Sequence, residues 1–225
     1  MTRVLAAALI CGALTASLVG SEDPRIVEQV PEPPDLKAHS VFYLHGRIIE
    51  VQGPNAVCAD FGPYEYQRIL ETFRDGGFVV VAEVREDGAG REFAVATARQ
   101  VRRLLDAGVP ARSITVVGFS KGGFLALGVS AIVGSEEVGY AILAGCGSDP
   151  GWIDRMAPRI RGRFLSLLDR SDRLSPSCQP LFAEAELVDE KNEHVFDTGL
   201  DHGLFYRPRE DWVDRVAGWA RDGSR

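Results

Sequence analysis

The sequence predicts a three-layer α/β/α domain built on a mostly parallel sheet of about six to eight strands, and three observations predict it. Runs of β-branched and aromatic residues are apolar throughout instead of alternating, as strands buried on both faces require. These runs alternate with amphipathic segments of helical period, the rhythm of right-handed crossovers. One strand also ends in Gly118-Phe119-Ser120-Lys121-Gly122, a sharp strand-to-helix turn. With 225 residues, 45% of them apolar and 25% charged, the chain is long enough for one sizeable core.

In chain order, residues 1–20 carry a positive charge at Arg3, an apolar stretch from Val4, and small residues toward Gly20. That pattern is a secretory signal, and the run is short for a spanning helix. The mature protein is therefore expected to be periplasmic or secreted, without stable membrane association once residues 1–20 are removed. Residues 21–38 place Pro24, Pro31, Pro33 and Pro34 among charges and read as an extended lead-in to a domain over 39–225. Strands are expected at 41–44, 78–84, 114–117, 139–144, 164–168 and 195–198. Helices are expected at 64–74, 91–107, 121–132, 152–156, 179–188 and 210–220. The helix from Arg91 has its stripe in Phe93, Ala96, Val101, Leu104 and Leu105, and Gly108 and Pro110 close it.

The formal charge of −7, with 25 Lys and Arg against 32 Asp and Glu, argues against a nucleic-acid or anionic-membrane partner. No C-x-x-C, H-E-x-x-H or phosphate-loop spacing occurs, so neither a metal nor a cofactor is expected. Export leaves three cysteines, Cys58, Cys146 and Cys178, in an oxidising compartment, where one disulfide and one spare thiol are the natural arithmetic.

In a parallel sheet every strand delivers its C-terminal end to one edge, where ligands bind. Ser120 reaches that edge in the turn just described, as a nucleophile would. A serine hydroxyl needs a base within hydrogen-bond reach. His39 and His194 precede expected strands and fall at the far edge, whereas His45 and His202 follow strands. His202, in Asp201-His202-Gly203 after the last strand, is the candidate base. A base needs an acceptor to hold its tautomer, and Asp172 is favoured over Asp169 because a loop residue reaches sideways. An oxyanion would take backbone N–H donors from Lys121 and from Arg47, with Gly46 as the alternative to the latter. The Lys121 side chain opens a helix at the positive end of its dipole, and Glu50 or Glu65 could offset it.

The His45-Gly46 strand end, Gly118 to Gly122, Asp172 and Asp201-His202-Gly203, in that order, resemble the α/β-hydrolase superfamily over residues 40 to 220. Within it the chain is similar to small capless members, the dienelactone-hydrolase-like proteins and bacterial carboxylesterases, with serine where dienelactone hydrolases carry cysteine. The resemblance implies a Ser120–His202–Asp172 triad cleaving an ester, or less readily an amide, of a small-molecule substrate. The same residues would serve acyl transfer, and a binding protein could also use the fold. The family's first two strands are not visible in the lead-in, which suggests a trimmed sheet. Candidate substrate contacts are His45, Phe119 and Arg85, although His45 could instead bond its own loop. Arg47, Arg85, Arg170 and Arg173 would form a positive rim, and Phe119, Phe205 and Tyr206 are placed to wall an acyl pocket. Cys146 and Cys178 follow adjacent strands of the superfamily sheet, where a disulfide would pin the loop of Asp172. No insertion long enough for a lid lies between residues 144 and 164.

Overall fold

The computed structural model describes residues 25–222, so the expected signal segment lies outside the described residues. The first half runs β1 (Ile26–Val27), β2 (Ser40–Leu44), α1 (Arg47–Gln52), a hairpin of β3 (Val57–Cys58) and β4 (Gly62–Pro63), α2 (Tyr66–Asp75), β5 (Val79–Val81) and α3 (Arg91–Asp106). The second runs β6 (Ile114–Phe119), α4 (Lys121–Val133), β7 (Gly139–Leu143), α5 (Pro150–Met156), β8 (Arg163–Asp169), α6 (Gln179–Glu184), β9 (Lys191–Phe196) and α7 (Glu210–Asp222). Seven strands form one sheet in the order β1-β5-β2-β6-β7-β8-β9, with every pairing parallel.

The apolar strands feed two cores, one on each face. Phe42, Leu44 and Val116 pack with Ala98, Val101 and Leu127 of α3 and α4. Val41, Tyr43 and Val117 point the other way, to Ile69 and Phe73 of α2 and Trp212 and Val216 of α7. This division follows from the two-residue period of a strand. The central strand, β6, is buried at all six positions and delivers Phe119 and Ser120 to the middle of the C-terminal edge.

The lead-in does more than the proline content suggests. Ile26 and Val27 pair with Val80 and Val81, and Val30 enters the core. The last strand lies at 191–196 instead of the expected 195–198, so His194 sits inside it and does not precede it. The physical reason is its place at the edge of the sheet: Lys191, Asn192, Glu193 and His194 stay partly exposed, and their polarity masks the strand. The helix expected over 179–188 ends at Glu184. The six-residue α1 and the β3–β4 hairpin were not expected, because neither is long enough to express a period.

Candidate active site

Ser120 joins β6 to α4 with φ 54° and ψ −120°, a conformation that costs a non-glycine residue about 1–3 kcal/mol. Glycines permit the turn. A Cβ at Gly118 would lie 2.3 Å from the Gly122 carbonyl oxygen, and one at Gly122 would lie 1.9 Å from the Leu44 oxygen. The Ser120 N–H donates to the Leu143 carbonyl at 2.9 Å, tying the turn to β7.

His202 lies in a 3-10 turn, Asp201–Tyr206, that follows β9, and is buried. Its Nδ1 is 2.8 Å from Asp172 Oδ2. With the Nδ1 proton donated to that carboxylate, the Nε2 lone pair is left to accept another. The ring of Phe119, the residue before Ser120, lies against the imidazole with centroids 4.8 Å apart, which sets the turn and His202 beside each other. Phe61 of the hairpin stands over the imidazole at 6.3 Å.

Asp169 and Asp172 divide their work. Asp169 accepts four bonds, from the N–H and hydroxyl of Ser171 and of Thr198, and so ties the end of β8 to the loop after β9. Burial alone would raise its pKa, but these donors hold it down to about 2. Asp172 turns Oδ1 to the Leu174 and Ser175 amides and Oδ2 to His202. A second tie runs through Asp201, at φ 57°, whose carboxylate takes the Arg173 guanidinium at 2.7 Å and the His202 N–H at 2.7 Å. Sequence reading named the Asp201-His202-Gly203 turn but missed this role; the signal available was an acidic residue directly before the candidate base.

The candidate oxyanion donors are the first residues of two helices, Arg47 of α1 and Lys121 of α4. First-turn amides have no carbonyl within their own helix to bond. A Cβ on Gly46 would come within 3.7 Å of Ser120 Cβ, so the loop before α1 runs alongside the serine. The Tyr64 hydroxyl, bonded to Tyr43 at 2.7 Å, also engages the Gly46 backbone, so Arg47 is the candidate donor on that loop.

Three expected substrate contacts are placed elsewhere. Phe119 is 1% exposed, because strand alternation directs it into the core beneath His202, and Phe205 and Tyr206 are buried with it. Arg85 does not reach the rim: its side chain is fully buried and pairs with Glu50 at 2.8 Å. Glu50 in turn takes Lys121 Nζ at 2.5 Å, while Glu65 binds Arg68 and Arg207 instead. Burial alone would raise the Glu50 pKa, but Lys121 and Arg85 hold it below the ordinary carboxylate value. Of the remaining rim arginines, Arg170 and Arg173 are exposed and paired with Asp197 and Asp201.

His45 is buried, its Nε2 accepting the Arg85 N–H at 3.0 Å and its Nδ1 lying 2.8 Å from the Gly46 carbonyl. Burial, reinforced by the Arg85 charge, lowers its pKa from 6.5 to about 4. An unfolded chain thus binds this proton below pH 6.5 while the native state refuses it until about 4, so acid favours unfolding. In urea denaturation at pH 7.5 and 4.5, His45 is expected to account for a stability about 2–3 kcal/mol lower at the acid pH. His45→Asn should remove most of that difference, and an unchanged difference would refute the assignment.

Cys146, after β7, and Cys178, before α6, are joined by a disulfide with Cα atoms 5.3 Å apart, and Cys58 carries a free thiol. Among the described residues no helix is long and apolar enough to cross a membrane, and no cluster of three metal-ligating side chains occurs.

No protein-family model and no curated protein matches the sequence. Solved structures do match in shape. A monoacylglycerol lipase from Paleococcus ferrophilus aligns over 87% of this chain and 96% of its own, at 14% identity and a TM-score of 0.57. An esterase from Pyrococcus furiosus aligns over 85% and 84%, at 15% identity and 0.57. An esterase/lipase from an uncultured bacterium aligns over 83% and 77%, at 18% identity and 0.56. At such identities the likeness speaks for architecture. Together with the seven-stranded parallel sheet and the helices on both faces, it establishes that the chain has the α/β-hydrolase fold.

Proposed function

We propose that the protein is an exported, capless serine hydrolase of carboxylesterase type, acting on a small-molecule ester. One observation carries the reading: a strained serine in a strand-to-helix turn stands at the same sheet edge as a histidine already held by a buried aspartate. Native proteins keep such backbone strain where it serves function, and a loop serine with no chemical task has no need of it.

In this mechanism His202 Nε2 takes the Ser120 proton as Oγ attacks the ester carbonyl. The developing oxyanion is held by the Lys121 and Arg47 amides, and each such donor is worth about 10²–10³ in kcat. His202 then returns the proton to the leaving alcohol. Water, activated by the same imidazole, releases the acyl group from Ser120. Asp172 keeps the imidazole in the accepting tautomer throughout. Only α5 intervenes between β7 and β8, which favours an open site and small or extended substrates. The acidic balance of the chain gives nucleic acid no attractive face.

A fluorophosphonate probe with short p-nitrophenyl esters tests the proposal. Wild type is expected to label and to release p-nitrophenol, and Ser120→Ala to do neither. A folded wild type that does not label would favour a binding protein on the same fold. Faster p-nitrophenol release on adding alcohols, with transfer of the acyl group to them, would point to acyl transfer.

A further inference from the structure

A groove of about 500 Å³ runs over the outer face of α4, between the start of α3 and the end of α5. Its α4 wall is Lys121, Phe124, Leu125, Gly128 and Ile132, residues spaced to share one helical face. From Lys121 to Ile132 that face extends about 16 Å at 1.5 Å per residue. Met156 of α5 and Ala94 of α3 complete the apolar floor. Phe124, at the mouth, is 43% exposed and stacks on Trp152 with centroids 5.1 Å apart. Packing does not demand a glycine at 128, where an added Cβ would meet only the Ala94 methyl at an ordinary 3.6 Å. The missing side chain serves to keep the groove open.

The charged side chains that line this groove are of one sign, with the Glu92 carboxylate standing outside the lining near Gly90. Arg91, Lys121 and Arg159 are the charged residues lining the groove, in a chain whose net charge is −7. Glu50 shares its one negative charge between Lys121 and Arg85, so that trio keeps a net positive charge, and Arg91 and Arg159, both exposed, add to it. An elongated apolar floor of ligand-sized volume with a cationic rim matches an aliphatic chain that ends in an anion. Exposing such a floor has a hydrophobic cost that a bound chain removes. We infer that this groove binds the anion of a medium- or long-chain fatty acid, its chain along α4 and its carboxylate at Arg91 and Arg159. The site is a binding site in its own right and does not depend on Ser120 being a nucleophile, although the groove begins one residue from it.

Trp152 supplies a reporter. Titration of the whole protein with dodecanoate below its micellar concentration, followed by tryptophan fluorescence and calorimetry, is expected to show saturable binding in wild type and Ser120→Ala alike. Dodecyltrimethylammonium, with the same chain and opposite charge, should bind more weakly, and butyrate not measurably. Arg91→Gln with Arg159→Gln, both exposed and outside the catalytic machinery, should weaken dodecanoate about tenfold. Gly128→Leu, which fills the groove, should abolish binding. Absence of dodecanoate binding, equal affinity for the cationic chain, or affinity unchanged in the double arginine variant would overturn the inference. Because the arginine variant alters only surface charge, that result stands even if Gly128→Leu fails to fold.

Discussion

Asp172→Asn is expected to lower kcat on p-nitrophenyl esters by about 10⁴ while leaving the fold and the fluorophosphonate target in place. The size of the effect follows from which atoms the asparagine must satisfy. Asp172 Oδ1 accepts from the Leu174 and Ser175 amides at 2.8 and 2.9 Å. An asparagine can meet both donors only with its carbonyl oxygen, which turns its NH₂ group toward His202. That group donates to Nδ1 where the carboxylate accepted, so the imidazole proton moves to Nε2 and the ring can no longer take the Ser120 proton. A purely structural Asp172 would behave otherwise, since asparagine keeps the loop bonds and the side-chain volume. Steady-state kinetics beside a thermal melt separate the cases. A fall in kcat with little change in Tm supports the tautomer role, and an unchanged kcat sinks it. Asp169→Asn offers a contrast: its four donors belong to its own loop and the one after β9, so it should lose mainly stability.

How much of this is legible in the sequence alone depends on the kind of residue. The buried strands and the long helices announce themselves by period, and Ser120 by glycines that the backbone cannot do without. The division between Asp169 and Asp172 followed from reach alone, because a residue still in the strand is held by the ladder. What the sequence hid is what depends on partners far along the chain. Arg85 reads as a rim cation because a buried arginine looks like an exposed one until Glu50, thirty-five residues away, is seen beside it. Phe119 reads as a pocket wall because its neighbour Ser120 is at the surface, while strand alternation sends it inward. The polar β9 and the two-residue β1 are edge strands, whose sequences carry half the hydrophobic signal of a central one.

The same concealed pairing gives the largest expected effect on stability. Glu50 has a fully buried side chain that joins two cations, Arg85 with no exposed side-chain surface and Lys121 with 25%. Removing one member of a buried ion pair costs about 3–5 kcal/mol, because the charge left behind has lost both water and partner. Glu50→Ala strands Arg85 in this way, leaving its Nη2 bonded to the His45 carbonyl. Against a total stability of about 5–15 kcal/mol, such a loss brings the protein close to unfolding at ordinary temperature. Lys121→Met is the informative partner. It leaves Glu50 bonded to Arg85 and removes a charge that can reach solvent, so its stability cost should be about 1 kcal/mol. Its effect on rate should be the larger of its two consequences, since the Glu50–Lys121 bond links α1, which carries the Arg47 amide, to the start of α4, which carries the Lys121 amide. Urea denaturation and ester kinetics on both variants test the arrangement together. A Glu50→Ala loss below about 1 kcal/mol would mean that Arg85 finds water or another acceptor, contrary to the burial on which the argument rests.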